Sequence, residues 1–426
     1  MEYFAIAGNK PLGGTVNISG AKNAAVAIIP AALMSSGISI IENLPQIEDV
    51  ASYVSVLNKM GAKCKFLNKS TLQIDATKIN STSISPDSIS NMRASYYMLG
   101  TLLTRFKRAS VPMPGGCNFG SRPIDQHIKG FEALGAKVVQ EHGMIHVEAD
   151  KLIGNHVYLD LASVGATLNI MMAACMAEGI TIIENVAKEP HIVDCANFLN
   201  MCGANIKGAG TGVTRITGVS QMRGSNYTII PDQIETGTYM IAAAITGGDV
   251  LLRNVIPKHM EPLTHKLVEM GCKVTTCGDT IRVASEGGLS AANIKTLYYP
   301  GFPTDLQPQM TALLSQAEGV SYVTEAVFDN RFQYVDQISR LGVKIKIEGR
   351  MAVVEGPARL TGTEVVATDL RAGASLIIAA LAAEGVTKIS NIHYIDRGYE
   401  NIEHKLSKLG ANISRLSGDA PAILEA

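Results

Sequence analysis

One segment of the chain places a thiol and a guanidinium in a stretch rich in glycine and proline. Residues 112–123 read PMPGGCNFGSRP and include Cys117 and Arg122. Three glycines and three prolines favour a surface loop that moves over an active site while its ends stay fixed. A neighbouring cation stabilises a thiolate, so Cys117 is a candidate reactive cysteine. The alternative is an incidental loop thiol, because a lone cysteine is weak evidence for chemistry.

Charged and polar residues also recur where six predicted helices begin. The six positions are Lys22, Arg93, Gly165, Gln233, Asp305 and Arg371. If equivalent helices point the same way, their positive N-termini converge on one cleft and favour a phosphorylated or carboxylated ligand. Capping explains Asp305 equally well, and a surface ion pair would explain Arg397. Capping does not explain Lys22 or Arg93, because a cation opposes the helix dipole there.

These helices belong to a repeat that must position them. A glycine that ends a helical stretch recurs six times, with spacings of 68 to 74 residues, at Gly61, Gly135, Gly203, Gly271, Gly342 and Gly410. Each glycine is expected at a turn that needs a positive φ. Each unit reads as helix, strand, loop, helix and strand, which predicts six α/β modules of about 70 residues.

Six modules favour two domains of three, with the split near residues 224–230. A single long solenoid is the alternative, but solenoid repeats usually span about 20 to 50 residues. The N-terminal segment up to Gly20 precedes the first module. Periodicity leaves open whether this segment closes the first domain or returns to the second.

Composition narrows the classes of partner. With 37 basic and 38 acidic side chains and 5% aromatic residues, the chain offers no support for nucleic-acid or membrane-surface binding. Its seven cysteines form no C-x-x-C pair and no Cys/His zinc pattern, so no metal is expected and the six besides Cys117 are expected in the core. The first residues lack the pattern of a secretory signal, and apolar runs fall short of the roughly 20 residues that span a membrane. We therefore expect a cytoplasmic protein.

Motifs spread from the first module to the last together resemble one family. They are Gly20-Ala21-Lys22-Asn23-Ala24, Met92-Arg93-Ala94-Ser95, Pro114-Gly115-Gly116-Cys117, Gly120-Ser121-Arg122-Pro123, Phe302-Pro303-Thr304-Asp305-Leu306-Gln307, Asn330-Arg331-Phe332, Thr368-Asp369-Leu370-Arg371 and Asp396-Arg397-Gly398-Tyr399-Glu400. From end to end the chain resembles the UDP-N-acetylglucosamine 1-carboxyvinyltransferases, the enolpyruvyl transferases of the first committed step of peptidoglycan synthesis.

The resemblance implies an α/β fold of two inside-out domains, each built from three repeated α/β modules, with a cleft between the domains. Residues 22–229 would form the first domain, which carries the Cys117 loop. Residues 1–21 and 230–426 would form the second, so that the N-terminal segment completes it.

The resemblance also implies a reaction and a set of catalytic residues. Phosphoenolpyruvate would give its enolpyruvyl group to the 3'-hydroxyl of the sugar by addition and elimination, with release of phosphate and without a cofactor or metal. Cys117 would donate a proton to the methylene carbon and would be alkylated by fosfomycin. Asp305 would be the base for the sugar hydroxyl. The phosphate and carboxylate would be held by Lys22, Arg122 and Arg397.

For the sugar nucleotide, the resemblance implies contacts along three segments. The implied substrate-binding residues are Asn23, Arg93, Arg122, Pro123, Ile124, Asp125, Gln126, Ser163, Val164, Gly165 and Val327. Residues 122–126 would surround the uracil, residues 163–165 would meet the diphosphate at a helix start, and Val327 would touch the sugar. Some relatives have a Lys just before the Ser-Val-Gly element, where this chain has Leu161-Ala162, which puts one diphosphate contact in doubt.

Three other functions remain as alternatives. A sister enolpyruvyl transferase acting on shikimate 3-phosphate would share the fold, although the Cys117 loop argues against it. A noncatalytic paralogue that binds the nucleotide sugar is disfavoured because Lys22, Cys117, Asp305 and Arg397 are all present. An RNA 3'-phosphate cyclase built from related modules would need a basic surface, which the charge balance does not supply.

Overall fold

A computed structural model describes residues 2–88, 93–113 and 124–418 of the chain. The described residues form two compact units. We call residues 20–88, 93–113 and 124–230 the first unit, and residues 2–19 and 231–418 the second unit.

The elements through residue 230 are β1 (Glu2–Ala7), β2 (Gly13–Asn17), α1 (Lys22–Ala31), β3 (Ile38–Glu42), α2 (Glu48–Lys59), β4 (Lys63–Asn68), β5 (Thr71–Asp75), α3 (Tyr97–Phe106), β6 (Arg108–Pro112), α4 (Asp125–Ala133), β7 (Lys137–Glu141), β8 (Met144–Glu148), β9 (His156–Tyr158), α5 (Val164–Ala174), β10 (Ile180–Glu184), α6 (Pro190–Met201), β11 (Asn205–Lys207), β12 (Val213–Thr217) and β13 (Asn226–Thr228).

After residue 230 come α7 (Gln233–Ile245), β14 (Asp249–Arg253), α8 (Glu261–Glu269), β15 (Lys273–Cys277), β16 (Thr280–Ala284), β17 (Ile294–Lys295), α9 (Gln307–Leu314), β18 (Gly319–Thr324), α10 (Val335–Ser339), β19 (Lys344–Glu348), β20 (Met351–Gly356), β21 (Glu364–Val366), α11 (Leu370–Leu381), β22 (Val386–Ser390), α12 (His393–Asp396), α13 (Ile402–Lys408) and β23 (Asn412–Ser417). Single 3-10 turns precede α3 at Arg93–Tyr96 and α9 at Thr304–Leu306, and another spans Arg331–Tyr334.

Three helices form the centre of each unit, α1, α3 and α5 in the first and α7, α9 and α11 in the second. Nearly every residue of α5, α7, α9 and α11 is buried. A helix that is apolar on all sides must be covered on all sides, and the Ala-rich sequence of α11, LRAGASLIIAAL, has that character. Close packing also requires small residues, because a side chain at Gly100 of α3 would lie 2.4 Å from the Asn169 carbonyl oxygen on α5.

Small sheets cover these helices. In the described residues of the first unit the strand orders are β13-β3-β5-β4, β11-β12-β10-β9 and β6-β8-β7. In the second unit they are β15-β16-β14-β2, β17-β18-β20-β19 and β21-β22-β1-β23. Strands such as β10 alternate buried and more exposed residues, so one sheet face packs inward and the other meets solvent. Helices inside and sheets outside make each unit an inside-out α/β domain of three modules, as predicted.

The glycines that mark the repeat have the backbone conformation predicted for them. Their φ values lie between +90° and +103° at Gly61, Gly135, Gly203, Gly271, Gly342 and Gly410. Each follows the outer helix of its module and turns the chain into the next strand. The prediction is confirmed. A chain that turns out of a helix at its C-terminus often adopts this left-handed conformation, which costs glycine little, so the position depends mainly on local geometry.

The N-terminal segment belongs to the second unit. Strand β1 lies between β22 and β23 and is antiparallel to both, with Phe4 opposite Ile389 and Arg415. Strand β2 pairs in parallel with β14 at the edge of another sheet. The first strands of the chain therefore complete two sheets whose other strands lie more than 200 residues away.

One prediction about the cysteines is wrong. Four of the six cysteines expected in the core, Cys175, Cys195, Cys202 and Cys272, are buried, but Cys64 is half-buried and Cys277 is exposed. Cys277 ends the edge strand β15, in which four of the five residues are exposed. No helix among the described residues is long and apolar enough to cross a membrane, and those residues contain no cluster of three or more potential metal ligands.

Candidate active site

In the second unit, the carboxylate of Asp305 lies against two buried arginines. It accepts hydrogen bonds from Arg371 Nη2 at 3.0 Å and from Arg331 Nη2 at 3.4 Å. The arginine side chains are 6% and 2% exposed, whereas that of Asp305 is 28% exposed. Two cations therefore hold the carboxylate, while more than a quarter of the Asp305 side chain is exposed. Arg371 is one of the six helix-start positions expected to face a ligand, whereas Arg331 is not among the predicted site residues, although both stand in the motifs that carry the resemblance.

Each arginine is itself fixed by its surroundings. Arg371, at the start of α11, has its guanidinium 5.6 Å from the centre of the Tyr399 ring. Burial is the largest single effect and opposes its charge, but Asp305, Tyr399 and Asp232 together raise the pKa of Arg371 above its ordinary value. Arg331 Nη2 also donates to the Thr304 carbonyl at 3.1 Å, next to Asp305. Because both cations are permanently charged and nearly immobile, they stabilise an ionised carboxylate at one position.

Two other predicted residues lie in the second unit. Val327 is half-buried, and its N–H donates to Glu325 Oε1 at 2.8 Å. Arg397 is half-buried directly after the short helix α12. The preceding residue, Asp396, accepts two hydrogen bonds from Arg415, at 2.5 and 3.0 Å, which fix the end of α12.

In the first unit, Lys22 is the first residue of α1 and pairs with a buried acid. Its Nζ lies 2.9 Å from Asp49 Oδ2, and the two side chains are 13% and 6% exposed. Asp49 lies in the first turn of α2, where the helix dipole favours a carboxylate. It offsets the unfavourable position of Lys22 at another helix start, so a charged ammonium group is held beside the half-buried Asn23.

The two segments predicted to hold the nucleotide are joined in the first unit. Gln126, in the first turn of α4, donates to Asp160 Oδ2 at 3.0 Å and accepts the Asp160 N–H at 2.9 Å. Three residues later Ser163 caps α5 by accepting the Ala166 N–H at 3.3 Å. This arrangement places the start of α4, with Ile124 and Asp125, beside the loop that leads into α5.

Gly165, in the first turn of α5, has no side chain and no room for one. A Cβ at Gly165 would lie 2.9 Å from the Tyr96 hydroxyl and 3.0 Å from His127 Nε2, so a side chain is excluded there. The first N–H groups of a helix have no acceptor within it and form an anion-binding site. Val164 and Gly165 supply such groups, as the predicted diphosphate contact requires.

Some predicted residues lie outside the described part of the chain. They are Cys117, Arg122 and Pro123. Arg93 begins the 3-10 turn before α3, but its side chain is also outside the description. The predicted reactivity of Cys117 therefore stays a prediction.

Comparison with known proteins identifies the family. The family model for EPSP synthase (3-phosphoshikimate 1-carboxyvinyltransferase) matches residues 6–406. The chain belongs to this family of enolpyruvyl transferases. It is 56% identical to UDP-N-acetylglucosamine 1-carboxyvinyltransferase 3 of Caldanaerobacter subterraneus subsp. tengcongensis, over 98% of this chain and 100% of that one. It is also 56% identical to the UDP-N-acetylglucosamine 1-carboxyvinyltransferase of Clostridium botulinum, again over 98% and 100%.

Solved structures agree with the fold of this enolpyruvyl transferase. The enolpyruvyl transferase NikO from Streptomyces tendae superposes with a TM-score of 0.88 at 26% identity, covering 97% of this chain and 98% of that one. The EPSP synthase of Acinetobacter baumannii gives a TM-score of 0.77 at 18% identity, covering 98% and 100%. At that identity the second match supports the fold alone.

The departure noted before α5 is visible in the enolpyruvyl transferase structure. Leu161 is 44% exposed and Ala162 is half-buried, so neither offers a cation to the start of α5. Lys129 of α4 reaches this loop, where its Nζ pairs with Asp160 Oδ1 at 2.9 Å. The diphosphate contact from this segment is therefore expected to rest on backbone N–H groups.

His127 makes the stability of the first unit depend on pH. Burial lowers the pKa of His127 from 6.5 to about 4, which outweighs the opposing effect of Asp125, and its Nδ1 lies 3.0 Å from Asn169 Nδ2. Since the folded state resists protonation, the free energy of unfolding should be intact above pH 6.5 and should fall by about 3 kcal/mol as the pH drops towards 4.

Urea unfolding between pH 4 and pH 8 measures this dependence. His127→Gln should make the free energy of unfolding depend less on pH. His156→Gln, at an exposed histidine beside Glu184, should leave this dependence unchanged. Equal slopes for wild type and His127→Gln would show that His127 is not the titrating group.

Proposed function

We propose that this protein transfers the enolpyruvyl group of phosphoenolpyruvate to the 3'-hydroxyl of UDP-N-acetylglucosamine and releases phosphate, the first committed step of peptidoglycan synthesis. The observation that carries the proposal is the partly exposed Asp305 side chain, paired with the buried Arg331 and Arg371. The chain that carries this group is 56% identical, over 98% of its length, to a protein named UDP-N-acetylglucosamine 1-carboxyvinyltransferase 3. We further propose that the protein acts in the cytoplasm, where a sugar nucleotide and phosphoenolpyruvate are available together.

The reaction is an addition followed by an elimination. Asp305 takes the proton of the sugar hydroxyl as its oxygen bonds to C2 of phosphoenolpyruvate, and Cys117 gives a proton to the methylene carbon, which becomes a methyl group. Loss of a proton from that methyl group then expels phosphate and restores the double bond, now in an enol ether. Lys22, Arg122 and Arg397 hold the phosphate and carboxylate while the charge shifts. Neither step is a net oxidation or reduction of the substrates, so no redox cofactor is required.

Binding of the sugar nucleotide would use the segments described above. Residues 122–126 surround the uracil, the first turn of α5 binds the diphosphate through Ser163, Val164 and Gly165, and Val327 contacts the sugar. Asn23 and Arg93 complete the substrate site. The lack of a side chain at Gly165 and the hydrogen bond from Gln126 to Asp160 support this assignment.

Phosphate release tests the proposal directly. Phosphoenolpyruvate is supplied with UDP-N-acetylglucosamine, with shikimate 3-phosphate, or with no acceptor, and no metal is added. Release only with the sugar nucleotide is expected. Release only with shikimate 3-phosphate would assign the sister reaction, and tight binding of the sugar nucleotide without release would indicate a noncatalytic paralogue.

Cys117 should be the residue that fosfomycin labels. A thiolate opens the epoxide, so mass spectrometry of the treated protein should show one adduct on Cys117, and Cys117→Ser should lose both the adduct and most turnover. Cys117→Asp should keep activity but resist fosfomycin, because a carboxylic acid also donates a proton. Cys277→Ser is the matched control, since Cys277 is exposed, and it should label like wild type. An adduct that persists in Cys117→Ser would place the reactive thiol elsewhere.

A further inference from the structure

A buried carboxylate in the second unit accepts hydrogen bonds from four neutral donors. Glu325 follows β18 and is 1% exposed. Its Oε1 accepts hydrogen bonds from the Thr296 hydroxyl at 2.8 Å, the Val327 N–H at 2.8 Å and the Phe328 N–H at 3.0 Å. Its Oε2 accepts the Thr304 hydroxyl at 3.1 Å. Burial of a carboxylate is costly, and these four hydrogen bonds offset that cost.

The four partners include two parts of the candidate site. Val327 is the residue predicted to touch the sugar, and Thr304 immediately precedes Asp305. The side chain of Thr304 is held by Glu325 and its carbonyl by Arg331, so the segment that carries Asp305 is fixed from two sides. The Arg331 guanidinium also lies 5.9 Å from the centre of the Phe328 ring, beside the second N–H that Glu325 accepts.

A carboxylate accepts hydrogen bonds from all four donors at once, which a carboxamide with one accepting oxygen does not. The Thr296 hydroxyl accepts the Ala326 N–H at 2.9 Å, so its own proton is free to point to Glu325. A glutamine in place of Glu325 would keep one accepting oxygen for three donors, but its amide group would face the Thr304 hydroxyl as a donor. The bond to the Asp305 segment would then be reversed or lost.

We propose that Glu325 is a positioning residue that holds the sugar-contact loop at Val327 and the segment of the base Asp305 in one arrangement. The inference rests on the proposed function, because Val327 and Asp305 owe their roles to it. Glu325 acts through these two residues and has no direct part in the proton transfers.

Two substitutions separate the contact of Glu325 with the Val327 loop from its contact with Thr304 in the Asp305 segment. Glu325→Gln disturbs the carboxylate itself, and Thr304→Val removes only the bond to the Asp305 segment. Thr304→Ser keeps the hydroxyl and serves as the conservative variant. Glu355→Gln, at an exposed glutamate on β20, is the matched control. For each protein one measures kcat, KM for both substrates, the Kd of UDP-N-acetylglucosamine by calorimetry, and the midpoint of thermal unfolding.

Loss of one hydrogen bond to a charged group should change these constants by about tenfold. Glu325→Gln is expected to weaken sugar-nucleotide binding and to lower kcat, each by about tenfold, with little change in KM for phosphoenolpyruvate. Thr304→Val should lower kcat by about tenfold and change the Kd of the sugar nucleotide by less than about twofold. Thr304→Ser and Glu355→Gln should behave like wild type.

Other outcomes separate this inference from the proposed function. If both variants unfold at lower temperature while kcat and Kd stay at wild-type values, Glu325 has only a structural role and the inference is wrong. If Glu325→Gln does not fold, the kcat and the sugar-nucleotide Kd of Thr304→Val test the inference alone. If wild type releases no phosphate with the sugar nucleotide, the proposed function fails first, and this inference fails with it.

Discussion

Asp305→Asn should lower kcat for phosphate release by about 10²- to 10⁴-fold while the protein stays folded, because an amide cannot take the proton of the sugar hydroxyl. An asparagine has nearly the same size and can still accept a hydrogen bond from Arg371 or Arg331. The substitution therefore removes the base and one negative charge but leaves the surrounding packing in place. Binding of the sugar nucleotide should weaken much less than turnover falls.

Single-turnover phosphate release with saturating substrates measures this effect. Asp249→Asn is the matched control, because Asp249 forms an exposed pair with Arg282 in the same unit and lies at 49% side-chain exposure. Its kcat should equal that of wild type. If Asp305→Asn retained turnover within about threefold of wild type, Asp305 would not be the base.

Lys405→Met should lower the free energy of unfolding by about 3–5 kcal/mol, because it leaves a buried carboxylate without its cation. Lys405 Nζ lies 2.5 Å from Glu235 Oε1 and 2.7 Å from Ser19 Oγ. Glu235 Oε2 accepts the Ser19 N–H at 2.8 Å. Burial raises the pKa of Glu235, which shows that its charge is already costly even with Lys405 present.

Urea unfolding at pH 7.5 tests this expectation. The control is Lys258→Met, which breaks an ion pair with Glu261 whose side chains are 75% and 52% exposed, and it should leave stability close to that of wild type. The double variant Lys405→Met with Glu235→Leu should recover much of the loss, because no buried charge is left unpaired. Equal effects of Lys405→Met and Lys258→Met would contradict the interpretation.

The parts of the fold that follow from local physics could be predicted from the sequence. The positive φ at Gly61 and Gly410 reflects the end of a helix, and such a position favours glycine whatever the rest of the chain does. The central helices are apolar on all sides, as in α11, so their burial also follows from composition. The capping residue Ser163 could likewise be placed at a helix start.

The parts of the candidate site that depend on distant contacts could not be predicted. Asp305 meets Arg331 and Arg371, which are 26 and 66 residues away along the chain. Nothing in the residues around Asp305 indicates which arginines will approach it. The same holds for Asp49 beside Lys22, which comes from a neighbouring helix. Resemblance to a family supplied Asp305, Lys22 and Arg397 as candidates, but not the residues that hold the first two.

The sequence by itself determined the six-module repeat, the two groups of three modules, the central helices and the residue types available for chemistry, because these depend on periodicity and on the conformations that each residue favours. Only the tertiary structure decided that β1 enters between β22 and β23, that Asp305 is held by two buried arginines, and that Glu325 links Val327 to Thr304. Strand pairing and side-chain pairing between residues far apart in the sequence depend on the packing of the whole unit. A local sequence pattern does not predict that packing.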